Sequence, residues 1–216
     1  MDQQNAATEN TPKPQDKKLR MEQAIKRKKR NQIMWGVGIF VLGAALIGSS
    51  FWYARWSEKN LPGEYYPSVG QEHIPLGQEP PKPYNSNPPS SGAHFASPAL
   101  WKTYDYEVPD QLFIHNMEHG GVWISYRPDV PKETIDQLTQ IADAFGGSKI
   151  VMAPRSANDA DVVIAAWERL LKIDVEVKLS DAQIKEIERF YRAFKNKGPE
   201  FVPDGMGGVD PKELIK

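Results

Sequence analysis

The chain has no cysteine. That absence excludes thiolate nucleophiles, disulfide exchange, iron–sulfur clusters and cysteine-bound zinc. It does not argue against export, because a domain of this size buries enough core to stand without disulfide staples. No phosphate-cradling glycine loop or dinucleotide fingerprint occurs, and the acids of Asp204 to Asp210 do not have calcium-loop spacing. Charge is missing altogether from Ile33 to Ala54, where IMWGVGIFVLGAALIGSSFWYA is interrupted only by Ser49 and Ser50. Histidine is scarce: there are 4 in 216 residues.

The uncharged stretch is long enough to cross a membrane. Its 22 residues make roughly 33 Å of helix, close to the thickness of a hydrocarbon core. Trp35 marks one end and Trp52, Tyr53 and Trp56 the other, as in an interfacial aromatic belt. Lys26, Arg27, Lys28, Lys29 and Arg30 precede the run, whereas only Arg55 and Lys59 follow closely. The positive-inside rule then predicts a single-pass cell-membrane protein with a cytoplasmic N-terminus and an extracytoplasmic C-terminal domain. The alternative, a cleaved signal peptide, is disfavoured by the length of the run and the lack of an A-x-A site.

The predicted organisation is a basic cytoplasmic arm (1–32), an anchor helix (33–54), a short linker (55–62), an outer domain (63–203) and a flexible tail (204–216). Residues 1–16 are polar and expected to be disordered; from Lys17 the arm can continue the membrane helix inward. The arm holds nine Lys/Arg against four Asp/Glu, whereas the chain after the anchor holds 18 against 24. An acidic outer domain argues against nucleic acid as a partner. The lipid bilayer is the expected partner, with a membrane protein as a second candidate.

Residues 57–100 contain nine prolines, which oppose helix and central strand. Tyr65, Tyr66, His73, Tyr84, His94 and Phe95 within them predict an ordered loop that wraps the core rather than a free linker. Beyond it, Leu112–Asn116 and Gly121–Tyr126 read as strands, Pro131–Phe145 as an amphipathic helix, and Lys149–Ala153 as a buried strand. Val162–Trp167 reads as a further strand turning helical by Leu170, and Ser180 caps a last helix to about Asn196. The fold class is α+β: a small, mostly antiparallel sheet with two helices packed on one face.

All four histidines, His73, His94, His115 and His119, lie within one stretch of the chain. Neutral imidazole binds zinc, copper, iron and nickel. His94, His115 and His119 are the expected ligands, His73 the fourth candidate, and the metal copper or zinc. Met117 adds a thioether that would favour copper(I). Glu118 is a further ligand or a partner that orients an imidazole. Tyr84, Asn85, Asn87 and Ser90 form the loop expected to support the site. The competing reading is a metal-free polar network in which turn-forming side chains satisfy the histidines. His115 to His119 also matches H-x-x-E-H, a zinc-protease pattern. It requires a helix, and the strand-like Leu112–Ile114 with Gly120-Gly121 argues against one. No catalytic residue is assigned.

The phrases QEHIPLGQ (71–78), YNSNPPSSGAH (84–94), HNMEHGGVWISY (115–126), AAWERL (165–170) and KNKGPEFVP (195–203) together resemble a bacterial family known as domain of unknown function 3105. The resemblance covers residues 63–203. Ser90 stands where the family has Thr, and Ala93 where it has Pro; neither departure removes a candidate ligand. The family name implies no activity. The expected function is therefore a membrane-anchored metal-binding module, with an interaction domain accessory to a membrane complex as the alternative and a metal-dependent hydrolase as the third.

Overall fold

A computed structural model describes residues 14–214 of the chain. The expected disorder of residues 1–13 lies outside these, and residues 14–16 already belong to a helix. The chain divides into two compact units, Met1–Asn60 and Leu61–Lys216.

Among the described residues, the first unit is one helix, α1 (Pro14–Lys59). Its segment Lys17–Tyr53 is long and apolar enough to cross a membrane, a property it shares with signal sequences near an N-terminus. The two serines do not break it. The Ser49 and Ser50 hydroxyls both donate to the Leu46 carbonyl, at 3.0 and 2.7 Å, so neither is left bare in the apolar run.

The second unit is built on a five-stranded sheet of order β1-β7-β6-β4-β5, comprising β1 (Glu64–Tyr65), β4 (Val122–Tyr126), β5 (Ile150–Pro154), β6 (Val162–Ala166) and β7 (Arg169–Ile173). Every pairing is antiparallel except β4 with β5, which α3 (Lys132–Ala144) connects. Alternation along each strand sorts side chains onto two faces. Val122, Ile124, Ile150, Met152, Val162 and Ile164 meet α3 and α4 (Asp181–Phe194), including Leu138, Ile187 and Phe190. Trp123, Val151, Val163 and Ala165 face the other way, toward α2 (Asp110–Glu118) and the proline-rich segment. Burial on both faces explains why β4 and β6 read as continuous apolar runs. Ser180 caps α4 with a complete capping box closed by Gln183.

Several expectations are corrected. Leu112–Asn116 is not a strand but the middle of α2, entered through Pro109 and ended by Gly120, whose φ is +75°. A five-residue apolar run fits a buried helix as well as a strand, and here all of Leu112 to Glu118 is buried. The helices consequently cover both faces of the sheet rather than one. Leu170 is not helical: Trp167 and Glu168 turn β6 into β7, with Glu168 at φ +63°. The tail does not trail away. Val209 bridges Ala99, Asp210 pairs with Lys102 at 3.1 Å, and a short α5 (Pro211–Leu214) follows with Pro211 buried.

The proline-rich segment does wrap the core. It supplies β1 at the sheet edge, and further along it two isolated residue pairs, β2 (His73–Ile74) and β3 (His94–Phe95), align in parallel.

Candidate metal centre

The β2–β3 pairing sets His73 directly opposite His94. It is held by His94 N–H donating to the Glu72 carbonyl and Gly92 N–H to the Gly70 carbonyl, both at 2.9 Å. The supporting loop is tied down residue by residue. The Tyr84 hydroxyl donates to the Ala93 carbonyl and the Asn85 amide to the Pro67 carbonyl, each at 2.7 Å. Asn87 donates to the Ala157 carbonyl at 2.8 Å and accepts from Arg155 at 2.6 Å. Ser90 N–H donates to the Ser86 hydroxyl at 3.0 Å. Arg155 also forms a two-bond pair with Asp110 at the start of α2, so one guanidinium joins the loop to the helix. Ser90 and Ser91 are fully buried within this scaffold.

The other half of the site comes from α2, where His115, Glu118 and His119 project on one side because residues three and four apart share a helix face. One ligand atom from each of His73, His94, His115 and Glu118 can be chosen so that all lie within 4.8 Å of one another. The rings of His73 and His115 stack at 5.0 Å between centroids, and His94 meets both edge-on at 4.9 and 5.1 Å.

Hydrogen bonds fix the tautomers. His94 Nδ1 lies 2.7 Å from the Gly92 carbonyl and His115 Nδ1 lies 2.7 Å from the Phe95 carbonyl. A carbonyl only accepts, so both Nδ1 atoms carry the proton, and in the neutral ring both Nε2 atoms present a lone pair inward. His94, with a side-chain exposure of 0%, then has its Nε2 3.0 Å from Glu118 Oε2. A neutral imidazole with one N–H cannot satisfy two oxygen acceptors, so this contact requires a further proton, on the ring or on the carboxyl, or a cation between the two atoms.

Burial pushes the His115 imidazole down to about 4, with His119 and His94 adding to the effect against the Phe95 carbonyl, which favours the neutral, metal-binding form. Burial raises the Glu118 carboxyl, but hydrogen bonding and charge from His94, with His115 and His73, outweigh it and hold the group below its ordinary value. The cluster therefore sets a neutral His115 imidazole beside an ionised Glu118 carboxylate.

His119 stands apart from these four. Its Nε2 is 3.1 Å from His115 Nε2 and 3.1 Å from Glu200 Oε2, and it forms a second group with Glu118 and Glu200. Burial lowers the His119 pKa despite the opposing pull of Glu200. Its carbonyl is met at 2.9 Å by Nζ of Lys149, a buried lysine whose own pKa burial lowers. A cation at this point suits the C-terminal end of α2.

Glu200 was not singled out in the sequence, and only its place in the KNKGPEFVP phrase flagged it. Gly198 explains how it arrives. A Cβ there would collide with the Glu118 carbonyl and the Gly120 backbone, so glycine lets this loop lie directly on the end of α2. Asn196 N–H then donates to the Gly120 carbonyl at 2.8 Å, and Glu200 N–H to the Glu118 carbonyl at 3.1 Å.

Met117 is fully buried among apolar side chains that include Leu112, Phe113 and Trp123. It lies about 160° round the helix from His115, so α2 turns its thioether away from the face that carries His115 and Glu118. The H-x-x-E-H pattern, by contrast, does lie at a helix end, contrary to expectation, with its histidines one turn apart. Its Glu118 already contacts His94 and His73, at 3.0 and 3.4 Å, and so belongs to the donor cluster.

The family model for a protein of unknown function (DUF3105) matches residues 78–204. That is more than half of the chain, and the chain belongs to this family. The match begins after His73, so it is narrower at its N-terminal end than the resemblance over 63–203. No curated protein and no solved structure matches the chain.

Proposed function

We propose that this DUF3105 member is a membrane-tethered module that holds a divalent transition metal on His73, His94, His115 and Glu118. The single observation that carries this reading is the position of His94: a wholly buried imidazole whose Nδ1 is committed to a backbone carbonyl and whose Nε2 faces a buried carboxylate at 3.0 Å. Three imidazoles and a carboxylate, without thiolate or thioether, suit zinc or copper(II) better than copper(I). Helix α1 is the tether, with the basic arm in the cytoplasm and the module outside, in keeping with the charge bias around the span.

The test uses the full chain in detergent micelles, stripped with chelator and then incubated with zinc or copper(II) before elemental analysis. The expected result is at least one equivalent of metal, with one equivalent lost in His94→Ala/His115→Ala and the helical content retained. Failure of the wild type to retain either metal would overturn the reading. It would favour the metal-free alternative, in which Glu118 accepts hydrogen bonds from His73 and a doubly protonated His94 and the domain serves as an interaction module.

A further inference from the structure

The two donor groups are not independent, because Glu118 belongs to both. Its Oε2 contacts His94 and His73 at 3.0 and 3.4 Å. A carboxylate has a second oxygen, and the second group places His119 and Glu200 within 4.8 Å of a Glu118 oxygen. His119 Nε2 lies 3.1 Å from both Glu200 Oε2 and His115 Nε2. Two imidazole nitrogens so close, beside two carboxylates, form one continuous patch of donors too large for a single ion. The two groups together draw on six side chains: the four imidazoles and the carboxylates of Glu118 and Glu200.

From this geometry we infer that the domain holds a pair of divalent transition metals bridged by Glu118, the second bound by Glu118, His119 and Glu200. This rests on the first centre proposed above. A bridging carboxylate is the usual link in two-metal sites with ions about 3.5–4 Å apart. The two positions differ in character. The first is enclosed by buried His94 and His115; the second has one wall formed by Glu200, whose side chain is 57% exposed. Three protein ligands and an open side leave coordination positions for water or an exogenous oxyanion. Glu200 is exposed but not loosely placed, since its backbone is tied to the Glu118 carbonyl at 3.1 Å. The second ion is thus the exchangeable one, and the loop 196–200 is the element that completes its site.

The experiment compares metal content and affinity for zinc in the full chain with those in His119→Ala, Glu200→Gln and His94→Ala. About two equivalents of zinc are expected in the wild type, falling to one in His119→Ala and in Glu200→Gln. Glu200→Gln removes only an exposed carboxylate, so its folding is not at issue. Loading with copper(II) gives a second readout: the paired ions in the wild type lose paramagnetic resonance intensity through coupling, and Glu200→Gln restores the signal of an isolated ion. One equivalent in the wild type, unchanged in His119→Ala and Glu200→Gln, overturns the pair and leaves the first centre standing. Two equivalents unaffected by both substitutions also overturn it. No bound zinc, or a single ion kept by His94→Ala and lost by Glu200→Gln, overturns the first centre and the pair together.

Discussion

His73 and His94 face each other across a parallel pairing only two residues long, yet one is 47% exposed in its side chain and the other 0%. The pairing brings a surface residue and a core residue to the same point. It also makes their substitutions unequal. His94→Ala is expected to abolish binding at the first centre. His73→Ala should retain it with an affinity lowered tenfold or more, a loss of at least about 1.4 kcal/mol. Competition with a chromophoric chelator measures both. Equal losses in the two variants would contradict the asymmetry.

Arg155 holds Asn87 on the loop and Asp110 on α2 while binding no candidate metal atom itself. Removing it leaves a partly buried carboxylate without its partner. Arg155→Ala should cost about 2 kcal/mol, seen as a fall in melting midpoint of about 4–8 °C. Metal stoichiometry should persist while affinity drops about 10–100-fold, as for other groups that orient ligands from behind. Unchanged affinity would show that the loop keeps its place without this link.

Gly198 lies against the Glu118 carbonyl and the Gly120 backbone. Gly198→Ala should push the 196–200 loop off α2, at an overpacking cost of about 1–3 kcal/mol. The melting midpoint in the absence of metal reads this directly, because no ligand binding enters the comparison. No change in midpoint would refute the close approach.

Hydrogen bonding from Ser148 and from Lys195 holds the Asp204 carboxyl down to about 2, from an ordinary 3.8. A depressed carboxyl stabilises the fold above its unfolded value and loses that contribution as pH falls through the folded one. Wild type should therefore exceed Asp204→Asn in thermal stability at neutral pH, with the gap closing as pH falls from about 4 to about 2. A gap that does not depend on pH over this window would remove the charge from the explanation.

The proposed orientation can be read without background because the chain has no cysteine. Single cysteines at Gln23 in the arm and Glu79 in the outer loop should behave oppositely toward a membrane-impermeant maleimide on intact cells. Glu79→Cys is expected to label and Gln23→Cys to label only after lysis. The reverse pattern would invert the topology.

Much of this protein follows from its sequence alone. The absence of charge from Ile33 to Ala54 determines an apolar helix, because backbone groups in such a run must be bonded within the segment. Periodicity determined α3 and α4, whose apolar faces recur at helical spacing, and the Ser180–Gln183 box marked where α4 starts. The crowding of four histidines into one stretch marked the place of the candidate centre, as did the Asn, Ser and Tyr residues that now tie its loop. What periodicity left open was the state of Leu112–Ile114, since a run buried on every side carries no period to read.

The tertiary structure brought the candidate donors together. His73 and His94 meet because two short segments align in parallel; neither segment has a pattern that announces a partner. Glu118 takes part in both candidate groups and His119 in the second, because the end of α2 brings His115, Glu118 and His119 to one side. Glu200 arrives only because Gly198 permits its loop to touch a helix terminus eighty residues away in the chain. Local sequence sets backbone preference over a few residues. Contacts between distant segments depend on packing complementarity, which no single stretch of the chain contains.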